Sequence, residues 1–131
     1  MATATYDPND LAVIVDSVFL TGFSEDMVEI EKAENNYETK VGAQGDVVRT
    51  KVNNPLATIN LTLLPSSPHV SYLDKLANSG KLVPVSVIYS GTPKETTTVT
   101  EAYVVKPANR SYGNEAADRE YEIQCLDIDM Q

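Results

Sequence analysis

Few side chains in this sequence could do chemistry, and they are scattered. His69 is the single histidine and Cys125 the single cysteine among 131 residues. One histidine cannot supply a His–His metal pair, and a Cys–His zinc site cannot be completed within one chain. A Cys–His dyad would have to join these two. Cys125 lies mid-strand among apolar neighbours, where a buried, inert thiol is expected, and His69 falls in the first turn of a predicted helix as a surface residue. Asp127 and Asp129 share one strand face and could in principle hold a divalent cation, but a solvated strand end is the expected reading. Asp7-Pro8-Asn9-Asp10 lacks the glycine and distal glutamate of a calcium loop. No P-loop, G-x-G-x-x-G or G-x-S-x-G is present. The tyrosines at 37, 72, 89, 103, 112 and 121 are not interleaved with basic residues as in a nucleic-acid binder. The expectation is no enzyme, no cofactor and no metal site.

The totals narrow the classes further. Hydrophobic residues make up 42% of the chain, a globular composition long enough for one domain over residues 1–131 with a real core. No apolar run approaches the ~20 residues of a membrane-spanning helix, so no membrane partner is expected. The opening MATATYDPND has neither the basic nor the apolar region of a secretory signal, and the lone cysteine fits a cytosolic origin. The net charge is −9, which argues against binding nucleic acid through a general electrostatic field. A chain of this charge could still enclose DNA without holding it. The charge is uneven: Ser24–Glu34 carries five acids against Lys32, and Glu115–Asp129 six against Arg119.

The elements that would position these groups are mostly strands. Leu11–Val15 and Val18–Leu20 read as a strand pair bent near Asp16. Met27–Lys32 alternates, with Val28 and Ile30 on one side and Glu29 and Glu31 on the other, so one face is buried and one wet. Leu56–Leu64 alternates most cleanly, with Ala57, Ile59, Leu61 and Leu63 opposite Thr58, Asn60 and Thr62. A helix is predicted over Pro68–Ser79, with Ser67 as N-cap and Gly80 as its stop. Val83–Tyr89, Thr96–Lys106 and Arg119–Met130 read as further strands, with Pro84 marking an edge or bulge and Pro107–Ala117 a loop. The class is mainly β and antiparallel, with one helix.

Between Asn35 and Asn54 the chain turns polar for longer than a compact connection needs. Gly42 and Gly45 sit between β-forming flanks, Tyr37–Val41 and Val47-Val48. A two-stranded arm with its tip at Val41–Asp46 is the natural reading, although an isolated hairpin is marginal in water. Within it Val41–Asn54 has Arg49 and Lys51 against Asp46, and is locally basic between acidic neighbours.

The run YETKVGAQGDVVRTKVNNPLATINLTLLPSSPHVSYLDKL, Tyr37–Leu76, resembles the tail tube proteins of contractile-tailed phages. The shared pattern is a long polar loop with a glycine pair, two basic residues and asparagines, then a threonine-rich alternating strand, a proline-serine break and a helix. The resemblance implies a β-sandwich or barrel-like tail tube fold with one flanking helix and a long protruding loop. It implies a homo-hexamer whose rings stack into a helical tube that conducts DNA without specific binding. Tail sheath, baseplate and tail terminator proteins would be its partners. The setting would be a virion tail assembled in the host cytoplasm. Residues 1–10 would form an N-terminal arm and residues 35–54 an inter-subunit loop, with Val41, Gly42, Gly45, Arg49, Lys51, Asn53 and Asn54 as contacts. Arg49 and Lys51 would meet acids from Glu25–Glu34 or Glu115–Glu122 of a neighbour. Glu29, Glu31, Thr58, Asn60 and Thr62 are candidates for the bore. The related alternatives are the tube of a contractile bacteriocin or of type VI secretion, and a single-ring baseplate or terminator protein. A small cytosolic binding module is the alternative outside this class.

Overall fold

The computed structural model describes residues 3–131. Ten strands and one helix follow in the order β1 (Leu11–Val15), β2 (Val18–Phe19), β3 (Phe23–Lys32), β4 (Tyr37–Val41), β5 (Val47–Lys51), β6 (Ala57–Leu63), α1 (Val70–Ser79), β7 (Val83–Tyr89), β8 (Glu95–Val104), β9 (Arg119–Cys125) and β10 (Ile128–Met130). Eight strands form one antiparallel sheet in the order β2-β1-β7-β8-β9-β6-β3, with β10 paired to β8. Strands β4 and β5 pair only with each other.

Period-two patterning builds the core. On β6, Ala57, Ile59, Leu61 and Leu63 are fully buried, and on β9 Tyr121, Ile123 and Cys125 lie on the same side. Val13, Val15, Val85, Val87, Val99, Ala102 and Val104 supply the core positions of β1, β7 and β8. Leu73 and Leu76 of α1 complete it, as the apolar stripe of an amphipathic helix should. Asp16 and Ser17, both at positive φ, make the two-residue turn between β1 and β2, matching the right-handed twist of the flanking strands. The bulge expected at Pro84 is present as a register shift between Val83 and Val85.

Several boundaries differ from the sequence reading. Strand β3 begins at Phe23, and its ladder to β6 is interrupted between Phe23 and Val28. The last strand is broken: Asp127 bends the chain after Cys125, its carboxylate accepting from the amides of Thr100 and Glu101 and from the Thr100 hydroxyl. The helix begins at Val70, not Pro68, and its cap residue His69 makes no side-chain capping bond. Ser67 is spent elsewhere. It is buried, its hydroxyl donates to the Thr21 carbonyl at 2.6 Å, and it accepts from the His69 amide at 3.3 Å. Gly22 lies against it, and a Cβ there would come within 2.7 Å of the Ser67 Cβ. Gly80 stops the helix in the left-handed conformation.

Candidate functional site

The span between β3 and β6 is a free-standing hairpin. Tyr37 pairs with Lys51, Thr39 with Arg49 and Val41 with Val47, and every residue of both strands is exposed. The ladder continues through the Val52 amide, which donates to Asn36. At the tip, Gly42 donates to the Asp46 carbonyl at 2.8 Å and Gly45 to the Gly42 carbonyl at 3.0 Å. Since strand parity puts Tyr37, Val41, Arg49 and Lys51 on one face, the Arg49 guanidinium can lie over the Tyr37 ring, 4.2 Å from its centroid. Asn53 is exposed, and half-buried Asn54 turns the chain into β6 by accepting the Leu56 amide. The seven expected contact residues therefore run from the tip to the base of one arm. With five residues per strand, the arm extends about 16 Å.

The five bore candidates come together on one face. Glu29 stands opposite Asn60, and Glu31 opposite Thr58, across the β3–β6 ladder. The register then carries the row into β9: Asn60 faces Glu122, Thr58 faces Gln124, and Thr62 faces Glu120. Glu120 and Glu122 belong to this face although the sequence reading placed them only among possible contact acids. Their alternation with buried Arg119, Tyr121 and Ile123 was the signal that would have found them. Asn60 separates Glu29 from Glu122, holding the two carboxylates two strand spacings, about 10 Å, apart. An open cleft of about 950 Å³ is bordered by Glu25, Asp26, Glu29, Asn60, Thr62 and Glu122.

The two ends of this face differ in charge. The arm leaves where β3 ends and β6 begins, beside the Ala57–Cys125 pair. At the other end Phe23 and Arg119 flank Leu63, and the interrupted stretch of β3 exposes Glu25 and Asp26. Ser24 donates to Asp118 there at 2.8 Å. Seven residues of β6 place the two ends about 20 Å apart. An arm bearing Lys40, Arg49 and Lys51 against Glu38 and Asp46 thus stands at one end, and Glu25, Asp26 and Asp118 at the other.

The scattered chemical groups do not assemble. His69 is not a free surface residue, because its Nδ1 accepts the Thr21 amide at 3.1 Å. Cys125 is fully buried, and burial, with Asp127 second, pushes its thiol up to about 11. Asp127 and Asp129 do not form a pair: the first is held by Thr100 and Glu101, the second accepts from Gln131. The hydrogen bond from Thr100, then that from Glu101, holds the Asp127 carboxyl below its ordinary range. Among the described residues, no cluster of histidine, cysteine or carboxylates could hold a metal, and no helix is long and apolar enough to cross a membrane.

No family profile and no curated sequence matches the chain. Solved structures do match it over nearly its whole length. A chain of the sheath/tube terminator of an extracellular contractile injection system (PVC), in its extended state, superposes with a TM-score of 0.72 at 13% identity, covering 100% of this chain and 99% of the other. A chain of the tube-terminating cap of the anti-feeding prophage gives 0.65 at 12% identity, covering 100% and 93%. A chain of the PVC sheath-tube complex gives 0.63 at 16% identity, covering 92% and 87%. The protein therefore has a fold found in the tube and cap assemblies of contractile injection systems: antiparallel β with one helix.

Proposed function

We propose that this chain is a structural subunit of a tail tube, in which copies close into hexameric rings and rings stack into a hollow tube. The observation that carries the proposal is the charge polarity along β6, with an unsupported basic arm at one end and Glu25, Asp26 and Asp118 at the other. A contact between two different ends of identical molecules is head-to-tail, and such contacts build rings or open polymers. Arg49 and Lys51 of one copy would meet those carboxylates on the next. Exposed pairs contribute only about 0–1 kcal/mol each, but repetition along a polymer lets them set register. The arm's own edges would be covered at the same time, removing unpaired backbone groups from water.

In this reading the β3–β6–β9 face lines the bore. Carboxylates and neutral amides and hydroxyls outnumber Lys106, the one basic residue bordering the cleft, so phosphate is not held and DNA would pass without specific binding. Sheath, baseplate and terminator proteins would be its partners in a virion tail assembled in the host cytoplasm. A second reading, a subunit that stops at a single terminating ring, is favoured by the likeness to chains of the terminator and cap assemblies, which spans this chain from end to end. Sedimentation velocity over a wide concentration range tests both. Growth beyond one ring supports the tube, a ring that never grows supports the terminator, and a monomer at every concentration overturns both.

A further inference from the structure

We infer that the tip of the arm, Gly42–Asp46, enters the recess beside α1 of the next copy, where the Asp46 carboxylate meets Lys75 and Arg110. This docking rests on the head-to-tail reading above and names the surface that receives the arm. The recess encloses about 530 Å³ between α1 and the loop that follows β8, with Lys75, Arg110 and Tyr112 on its walls. Pro65 and Arg119 border it too, so it lies at the end of β6 opposite the root of the molecule's own arm. Among the described residues the ion pairs are Lys81–Asp16 and Arg110–Asp74, so Lys75 and Asp46 have no opposite charge within the subunit. The tip is slim, with no side chain larger than that of Gln44 between its two glycines. Its Gly42 and Gly45 amides already donate to the Asp46 and Gly42 carbonyls, so the turn holds its shape before it docks. Val41 and Val47, paired at the last rung, are each 63% exposed, and Tyr112 in the receiving wall is 81% exposed. Seating the tip in the recess takes apolar surface of both from water.

The order of charges selects the occupant. Lys75 and Arg110 line the recess, but Glu25, Asp26 and Asp118 stand at the same end of β6. Those acids repel a uniformly acidic peptide or a nucleic acid, and the two cations repel a uniformly basic one. A segment that is negative at its tip and positive behind it satisfies both. The arm has that order: Asp46 at the tip, then Arg49 and Lys51 about 10 and 17 Å back along β5. On the facing strand Lys40 and Glu38 offset each other.

Cross-linking between two singly substituted full-length chains is the test. Cys125, the native thiol, is fully buried, so an introduced surface cysteine reacts alone. Gln44→Cys at the tip and Asn78→Cys in the recess wall are both exposed and leave Asp46 and Lys75 in place. Mixed and oxidised, these two proteins should form an inter-chain disulfide, and Gln44→Cys with Glu31→Cys, at the arm's own end of β3, should not. Without added cysteines, Asp46→Lys should raise the concentration at half-assembly about tenfold, and adding Lys75→Glu should bring it back. Polymers by sedimentation that lack the 44–78 disulfide overturn the docking and leave the self-assembly reading standing. So do polymers whose Asn78→Cys thiol reacts with maleimide as fast as in the monomer, because the recess is then open to a different partner. Equal losses in Asp46→Lys and the double variant overturn the Asp46–Lys75 pairing. A wild-type chain that is monomeric at every concentration overturns both the docking and the self-assembly reading.

Discussion

The Tyr121 hydroxyl donates to the Asp74 carboxylate at 2.8 Å, joining the middle strand of the core to the helix that covers it. Burial, and then this hydrogen bond, raise the tyrosine's pKa well above its ordinary value. Tyr121→Phe keeps the ring in the core but removes the donor. Asp74 retains Arg110, so the loss should be about 1.5–2 kcal/mol, at the low end for a hydrogen bond to a charged group. Chemical denaturation at neutral pH measures it, and an unchanged midpoint would mean that the β9–α1 link does not stabilise the fold.

Cys125 gives the fold a dependence on alkaline pH. Its thiol is raised from 9.0 to about 11 by burial, so the folded state favours the neutral form. A raised folded pKa contributes stability that is complete below the unfolded value and disappears as pH rises through the folded one. Wild type should therefore lose stability relative to Cys125→Ala between about pH 9 and pH 11. Denaturation midpoints of both proteins across that window check this. Parallel curves would show that the thiol is not held in the core.

Deleting Val41–Val48 should leave the fold intact and abolish assembly. Every residue of the arm's strands is exposed, and none belongs to the buried core. Circular dichroism and sedimentation on the deletion decide the matter. Lost secondary structure beyond the hairpin would place the arm in the fold, and unchanged polymers would remove it from assembly.

The fold was legible where one face of an element is buried and the other wet. Leu56–Leu64 announced β6 within one residue at each end, and the glycines and β-formers of Tyr37–Val48 announced the hairpin. What was not legible depends on partners distant in sequence. Ser67 and Pro68 carry the local signature of a helix start, but Ser67 bonds to Thr21, 46 residues away, so the helix begins at Val70. His69 looked like a surface residue because its acceptor role needs the same distant Thr21, in the link between β2 and β3. Arg119 could not be read as buried, since the Ala117 carbonyl and Tyr112 ring that hold it meet only in the folded loop. The polar face was half visible: alternation identified Glu29, Asn60 and Thr62, but only the register joined them to Glu120 and Glu122.

Charge reversal tests the head-to-tail pairing. Arg49→Glu, Lys51→Glu should weaken stacking, and adding Glu25→Lys, Asp26→Lys should restore it, because the signs are then exchanged at both ends. Raised salt should shorten wild-type polymers as the wet pairs are screened. Polymer length by light scattering across the three proteins reads the effect. A reversed variant that polymerises like wild type at every salt concentration would reduce the basic arm to solvated surface.

The most direct measurement is negative-stain electron microscopy of the purified full-length chain at high concentration. The account predicts six-fold rings with an open centre, stacked into hollow tubes. Dispersed single subunits in every buffer, at concentrations where sedimentation also shows a monomer, would contradict it.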